Sequence, residues 1–303
     1  MKFSILIVNW NSKDYVRECL KSIRDTWNRG GLQIVVVDGG SFDGCDQMLA
    51  AEFPEVDFVQ SPHNVGFGRS NNLGLGSVTG DRVLLLNPDT VLKPGALEEL
   101  TGAFDKLPAA GLVGARLLNT DGSLQMSCVM PFPSPWGAAT DCDQLRRRWW
   151  RTKGPVAGSA PVEVEAVSGA CMLMETGLLR KLGGFDPRYF MYSEDLDLCR
   201  RVSDEGLKVY HVPCAEIIHH GGGSSKTRFS RFSVVMTREA QRVYMQTHHG
   251  AAGALSYRFL MASSALARIA AMSGAWLLGG RGRRETSRVA LWKWWAILRW
   301  SIG

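Results

Sequence analysis

Glu194 and Asp195 are adjacent carboxylates in the stretch FMYSEDLDLCRR, residues 190–201. The spacing that follows reads as a helix over 193–205 with Ser193 as its cap. The helix dipole favours a carboxylate in the first turn. Such a group can take a proton from a reacting hydroxyl, although simple helix-end charge is the plain alternative. Asp197 lies roughly 200° round the helix from Asp195, so it faces elsewhere. Asp89, in LLLNPDT, offers a hard oxygen of the kind divalent metals take; a turn residue after Pro88 is the alternative. Asp38 closes the apolar run LQIVVVD. It can accept a hydrogen bond from a heterocyclic base or cap the next turn. In Asn64-x-Gly66-Phe67 the glycine lets backbone approach a phosphate, and a helix start favours an anion. The G-x-G-x-x-G spacing of a dinucleotide fingerprint is not met. His219-His220 follow an apolar strand. Neighbouring strand residues point to opposite faces, so at most one of them serves a site.

These residues must be held by strands and helices. Residues 3–9, 32–38 and 82–87 are continuous apolar runs, as in parallel strands covered on both faces. Helices are expected at about 13–27, capped by Ser12, at 43–53 and at 94–106. A short strand is expected at 56–60, and a Gly-rich loop at 64–76 runs into a helix. Strand and helix alternating over 110 residues predicts an open, mostly parallel α/β sheet. Ligands in such sheets sit beyond the carboxyl ends of the strands, where Asn9, Asp38, Asn87 and Asp89 fall. Beyond residue 110 the reading is a strand and hairpin turning at Asp121-Gly122, and a long mobile loop over 131–161 containing RRRWWRTK. Then come a strand pair at 163–174, a helix at 175–182 and two short strands at 207–220. Helices over 229–248 and 254–300 end the chain.

The chain has 35 basic and 29 acidic residues, net +6. Residues 251–303 hold eight basic residues and one acid, so that tail is +7 and the remainder −1. A neutral body argues against a nucleic-acid partner. The tail also holds five of the ten Trp. Its longest uncharged runs, 259–267 and 269–280, are shorter than the roughly 20 residues a spanning helix needs. Leu291, Trp292, Trp294, Trp295, Leu298 and Trp300, with Lys293 and Arg299, suggest a helix lying at a membrane surface. Packing on the domain or on another subunit is the alternative. Seven cysteines without a C-x-x-C pair fit a reducing cytosol. The start MKFSILIVNWNS lacks a signal peptide's long apolar region and reads as a buried strand.

Five motifs stand in fixed order: VNWNS at 8–12, VVVDGGSFDG at 35–44, LLLNPDT at 84–90, FMYSEDLDLCRR at 190–201 and HHGGGSS at 219–225. Together, over residues 3–245, they resemble the family-2 glycosyltransferases of the GT-A fold, especially rhamnosyltransferase-like members. The resemblance implies a GT-A, Rossmann-like α/β fold with a C-terminal helical extension. Residues 1–110 would be the nucleotide-sugar half, 111–228 the acceptor and catalytic half, and 229–303 the extension. It implies transfer of a sugar with inversion from a nucleotide diphosphate donor, L-rhamnose from dTDP-rhamnose or a sugar from UDP. The acceptor would be a glycan, lipid-linked, in surface polysaccharide synthesis at the cytoplasmic membrane face. The resemblance makes Asp195 the base, with Glu194 beside it. It makes Asn9, Asn11, Asp38, Asn64, Gly66, Asn72, Asn87, Asp89 and Arg200 donor-binding residues. Mg²⁺ or Mn²⁺ would be held by Asp89 and by His219, with His220 the alternative. Two departures stand out. Asp38-Gly39-Gly40-Ser41 lacks the family's usual Asn after the Asp, and Asn87 replaces the first Asp of its D-x-D. A catalytically silent nucleotide-binding scaffold at the membrane is the rival reading.

Overall fold

The computed structural model describes residues 2–27, 30–140, 158, 160–221, 231–278 and 281–303. The apolar runs become the strands β1 (Phe3–Asn9), β2 (Leu32–Asp38) and β4 (Arg82–Leu86), with β3 (Asp57–Gln60) outside β2. Every residue of β1 and β4 is buried, as strands covered on both faces require. Helices α1 (Lys13–Thr26), α2 (Cys45–Glu52), α3 (Phe67–Leu75) and α4 (Ala96–Lys106) connect them. Further strands are β5 (Thr90–Leu92), β6 (Ala110–Leu118), β7 (Val129–Met130), β8 (Val162–Val164), β9 (Ala166–Val167), β10 (Cys171–Glu175) and β11 (Lys208–His219).

The main sheet runs β3-β2-β1-β4-β10-β6-β11-β5, and β8 also pairs with β11. β1, β2, β3, β4, β6 and β11 point one way and β5, β8 and β10 the other, so six of nine strands are co-directional. The sheet is therefore mostly parallel, in an α/β fold. The carboxyl ends of β1, β2, β4 and β11 share one edge, which gathers Asn9, Asp38, Asn87 and His219.

The chain forms two compact units. One takes the residues up to Phe132, the stretch ending at Phe190, and Glu194 through β11; it contains the whole sheet, α6 (Thr176–Lys181) and α7 (Glu194–Asp204). The other takes α5 (Pro135–Thr140), Met191–Ser193 and the helices α8 (Arg231–Leu278) and α9 (Arg281–Ile302).

Several expectations change in detail. Ser12 sits at the N-cap of α1, but its hydroxyl donates to the Trp10 carbonyl. Asp43 takes over the capping, its Oδ2 accepting the Lys13 N–H at 2.9 Å. Ser193 precedes α7 with φ 62°, a left-handed backbone rather than the extended one of an ordinary N-cap. The two strands expected over 207–220 are one, β11, with a pairing irregularity between Val212 and Glu216. α8 is interrupted at Gly250, φ 68°. By length and composition α8 is long and apolar enough to cross a membrane, contrary to the count of uncharged runs. Beyond the Gly250 interruption two arginines fall within it, and both turn toward α9. Arg258 donates to the carbonyls of Ser301 and Trp300, and Arg268 lies 4.4 Å from the Trp294 ring centroid. The RRRWWRTK run and residues 222–225 lie outside the described residues.

Candidate active site

Asp38 ends β2 because an apolar strand there meets a turn. Its carboxylate is nearly sealed from solvent and organises that turn. Oδ1 accepts the hydroxyl and N–H of Ser41 at 2.5 and 3.2 Å; Oδ2 accepts the Phe42 N–H at 2.9 Å and Gln60 Nε2 at 3.0 Å. Burial pushes the carboxyl up, but the bonds from Ser41, Gln60 and Phe42 outweigh it and hold it below the usual range. Asn9 is fully buried and ties β1 to the same loop. Its amide donates to Asp43 at 3.1 Å, and its Oδ1 accepts the Ser12 N–H at 3.1 Å. Asn11 follows with φ 52°.

On the next loop, Asn64 Oδ1 accepts the Gly66 N–H at 2.9 Å. Gly66 has φ 90°, and a Cβ there would lie 2.2 Å from the Phe190 carbonyl oxygen. Only glycine lets the two chains pass so closely. Asn72 is committed elsewhere: its amide holds both the N–H and the carbonyl of Phe185, at 2.8 and 2.7 Å. Arg200 pairs with Asp204 at 2.9 Å and lies over the Phe132 ring. The side chain of Asn72 is thus spent on a structural partner, whereas Arg200 stands in a solvent-exposed pair.

Asp89 and His219 come together across the sheet edge. β5 pairs antiparallel with β11, His219 opposite Thr90, and the His220 N–H donates to the Asp89 carbonyl at 2.9 Å. His219 Nε2 then lies 3.3 Å from Asp89 Oδ1 and 3.4 Å from Asn87 Nδ2. His220 points the other way, its ring 5.1 Å from that of Tyr15, as alternation along a strand demands. Sequence reasoning missed Gln125. Its amide bonds both the Nδ1 and the carbonyl of His219, at 2.9 and 2.5 Å. The Asp121-Gly122 turn that places it was legible; the contact was not.

The residues fit a divalent cation. A carboxylate oxygen and an imidazole nitrogen face each other, and the Asn87 Oδ1 beside them is buried with no hydrogen-bond partner. Among the described residues no third His, Cys, Asp or Glu joins the pair.

The second carboxylate set opens α7. Asp195 Oδ2 accepts the Gly169 N–H at 2.9 Å and Oδ1 accepts the Leu196 N–H at 2.8 Å. Glu194 is buried, with Oε2 unpartnered. Burial, then the charges of Asp195 and Asp197, push its carboxyl up to about 8. Burial also raises Asp195, against the pull of its two N–H donors. The environments thus leave Glu194 protonated at neutral pH beside an oriented Asp195. Asp197 faces away and binds Arg201 at 2.7 Å, which in turn donates to the carbonyls of Leu182 and Gly184. One short loop ties both halves of the site: Gly169 holds Asp195, and the Ala170 carbonyl accepts the Asn87 N–H at 3.0 Å.

The profile of Glycosyl transferase family 2 matches residues 4–172, over half of the chain. The N-acetylglucosaminyl-diphospho-decaprenol L-rhamnosyltransferase of Mycobacterium tuberculosis is 32% identical over 209 residues, covering 64% of this chain and 68% of its own. Rhamnosyltransferase WbbL of Escherichia coli K12 is 26% identical over 75% of this chain and 86% of its own. Among solved structures, the mannosyltransferase PcManGT from Pyrobaculum calidifontis, in complex with GDP-Man and Mn²⁺, superposes with a TM-score of 0.62. It is 16% identical and spans 99% of this chain and 86% of its own, a likeness of fold. The chain belongs to the family-2 glycosyltransferases and is a glycosyltransferase with rhamnosyltransferases among its relatives.

Proposed function

We propose that this enzyme transfers a sugar with inversion from a nucleotide diphosphate donor to a lipid-linked glycan at the cytoplasmic membrane face, in surface polysaccharide synthesis. The donor is dTDP-L-rhamnose or a related UDP-sugar; the names of the relatives support rhamnose and a polyprenyl-linked acceptor. The observation that carries the reading is the loop 169–170, which joins an oriented carboxylate to the Asp89–His219 pair.

In this reading Asp195 takes the proton of the acceptor hydroxyl as its oxygen attacks the anomeric carbon. The bond from that carbon to the diphosphate oxygen breaks, and the diphosphate leaves with the electron pair. Glu194, protonated, donates a hydrogen bond rather than competing as base. Asp89 and His219 would hold Mg²⁺ or Mn²⁺, which supplies positive charge to the leaving diphosphate. Asp38 orders the 39–42 turn and exchanges one of its internal bonds for a base N–H, the side chains of Ser41 and Gln60 being the partners able to withdraw. Asn64 and Gly66 bring backbone to the phosphates. Residues 1–110 serve the donor and 111–228 the acceptor.

The C-terminal helices support membrane contact. On α9, Trp294, Ile297 and Leu298 are buried, whereas Trp292 and Trp295 are exposed on the face that carries Arg288 and Arg299. On α8, Leu255, Phe259, Leu266 and Leu277 are exposed within about 40° of one another round the axis. Tryptophan with arginine beside an apolar stripe suits a headgroup region. The test is sugar transfer in vitro: purified protein, Mn²⁺, a panel of nucleotide sugars and a polyprenyl-diphosphate glycan acceptor, with product anomer read by NMR. Product from dTDP-rhamnose with inverted configuration is expected. Retained configuration, or no transfer from any donor, overturns the reading.

A further inference from the structure

We propose that Gln125 is a positioning residue: it fixes His219 in the tautomer that carries its proton on Nδ1 and so presents the Nε2 lone pair to Asp89. The use of that lone pair rests on the metal-assisted reading above; the tautomer itself does not.

The assignment follows from donor and acceptor chemistry. Gln125 meets His219 at two points, Nε2 to the backbone carbonyl at 2.5 Å and Oε1 to the ring Nδ1 at 2.9 Å. A carbonyl oxygen only accepts, so the amide end facing it is the NH₂. The other end is then an oxygen, which also only accepts, so the Nδ1 it faces carries hydrogen. A neutral imidazole has one N–H, and Nε2 is left with its lone pair. One neighbour of Nε2 favours a lone pair there and the other opposes it. Asn87 Nδ2, a donor, lies 3.4 Å away. Asp89 Oδ1 lies 3.3 Å away. A lone pair facing a carboxylate oxygen is two acceptors opposed, an arrangement a cation between them turns from repulsive to favourable.

The fold holds Gln125 rigidly for this task. The Gly122 N–H closes the turn onto the Asn119 carbonyl at 2.9 Å, Leu124 bridges back to Leu118, and the Gln125 N–H donates to the Leu117 carbonyl at 2.9 Å. β6 is the parallel neighbour of β11, with Leu118 beside Ile218. The hairpin therefore delivers Gln125 to the residue next along β11, His219. A hydrogen-bonded partner on the far ring nitrogen is the usual way a metal-binding histidine is oriented, and losing it typically costs about 10–100-fold in metal affinity.

The experiment uses full-length protein with ¹⁵N-histidine, first stripped of metal with EDTA at neutral pH, then titrated with Mn²⁺ in the presence of UDP and followed by electron paramagnetic resonance. Wild type is expected to show His219 as the Nδ1–H tautomer. Gln125→Leu is expected to release the ring to the Nε2–H form and to weaken Mn²⁺ binding by about 10–100-fold. Gln125→Glu keeps an acceptor at Nδ1 while losing the donor to the His219 carbonyl, so retention of hydrogen on Nδ1 in this variant ties the ring state to the acceptor and not to the backbone contact. Wild type with hydrogen on Nε2, or a Gln125→Leu protein that keeps wild-type ring signals, overturns the proposal. Wild type that shows the Nδ1–H ring yet takes no Mn²⁺ overturns the metal reading instead and leaves the role of Gln125 in setting the ring standing.

Discussion

The backbone N–H of Gly169 donates to Oδ2 of Asp195 at 2.9 Å, and a Cβ placed on Gly169 would lie 3.2 Å from the Asp195 Cβ. The contact is tight enough that position 169 sets where the carboxylate sits. Its neighbour Ala170 accepts the Asn87 N–H, so the same loop spaces the base from the Asp89 side of the site. Gly169→Ala pushes the Asp195 Cβ aside by a few tenths of an ångström and is therefore expected to lower transfer, by less than the roughly hundredfold that a displacement of about 1 Å can cost. Thermal unfolding should move little, because the strain falls on one side chain. Unchanged kcat would show that Asp195 has no fixed position to lose.

Asp195→Asn keeps shape and removes proton acceptance. Donor binding should persist while kcat falls by about a hundredfold or more. The substitution also removes the charge that helps hold the Glu194 carboxyl near 8. Carboxyl ¹³C NMR should show Glu194 titrating lower, though still above an ordinary glutamate because its burial remains. A variant with near-full transfer would remove Asp195 as the base.

Two protein side chains are too few to hold Mg²⁺ or Mn²⁺ tightly, and such ions commonly complete their shells with substrate phosphates and water. Metal affinity should rise when a nucleoside diphosphate is present, and donor affinity should rise with metal, by the same factor. Asp89→Ala should abolish this coupling and His219→Ala should weaken it, as read by calorimetric titration. Full transfer in excess EDTA would contradict the metal assignment.

His211 supplies a pH dependence outside the site. It is fully buried on β11, with both ring nitrogens lacking hydrogen-bond partners, and burial, with Arg116 adding, pushes it down to about 4. The folded state resists protonation, whereas the unfolded chain binds a proton below about 6.5. Stability from this group is full above about 6.5 and falls as pH drops from there toward 4. The loss between pH 7 and pH 5 should be about 2 kcal/mol. Urea midpoints measured at both pH values check it, with His211→Leu expected to show a smaller difference.

Membrane contact is tested in the whole chain. Replacing Trp292 and Trp295 with Ala should reduce sedimentation with anionic liposomes while leaving donor binding intact. Salt should weaken binding of the wild type, because exposed charges are screened. Equal sedimentation of wild type and variant at low salt would assign those rings another role.

The apolar runs ending in Asn9, Asp38 and Asn87 were enough to determine buried strands, their shared edge and the residues gathered there, because a strand sealed on both faces leaves an unbroken signature. The order of motifs carried the family for the same reason. Tertiary structure decided what depends on register between distant segments. β11 lies beside β6 and β5, so His219 meets Asp89 and Gln125 while His220 turns to Tyr15. Alternation along a strand limits the choice to one histidine but does not say which. Asn72 has a polar side chain fit for a ligand, yet Phe185 occupies it, a partner that no local spacing reveals, whereas the exposed Arg200–Asp204 pair, four residues apart on α7, is readable from helical spacing. In α9 the sequence marks a row of tryptophans, and only packing against α8 divides them into buried Trp294 and exposed Trp292 and Trp295. Residue type fixes what a side chain can do; the partners brought by chain segments far away in sequence fix which of those things is left for it to do.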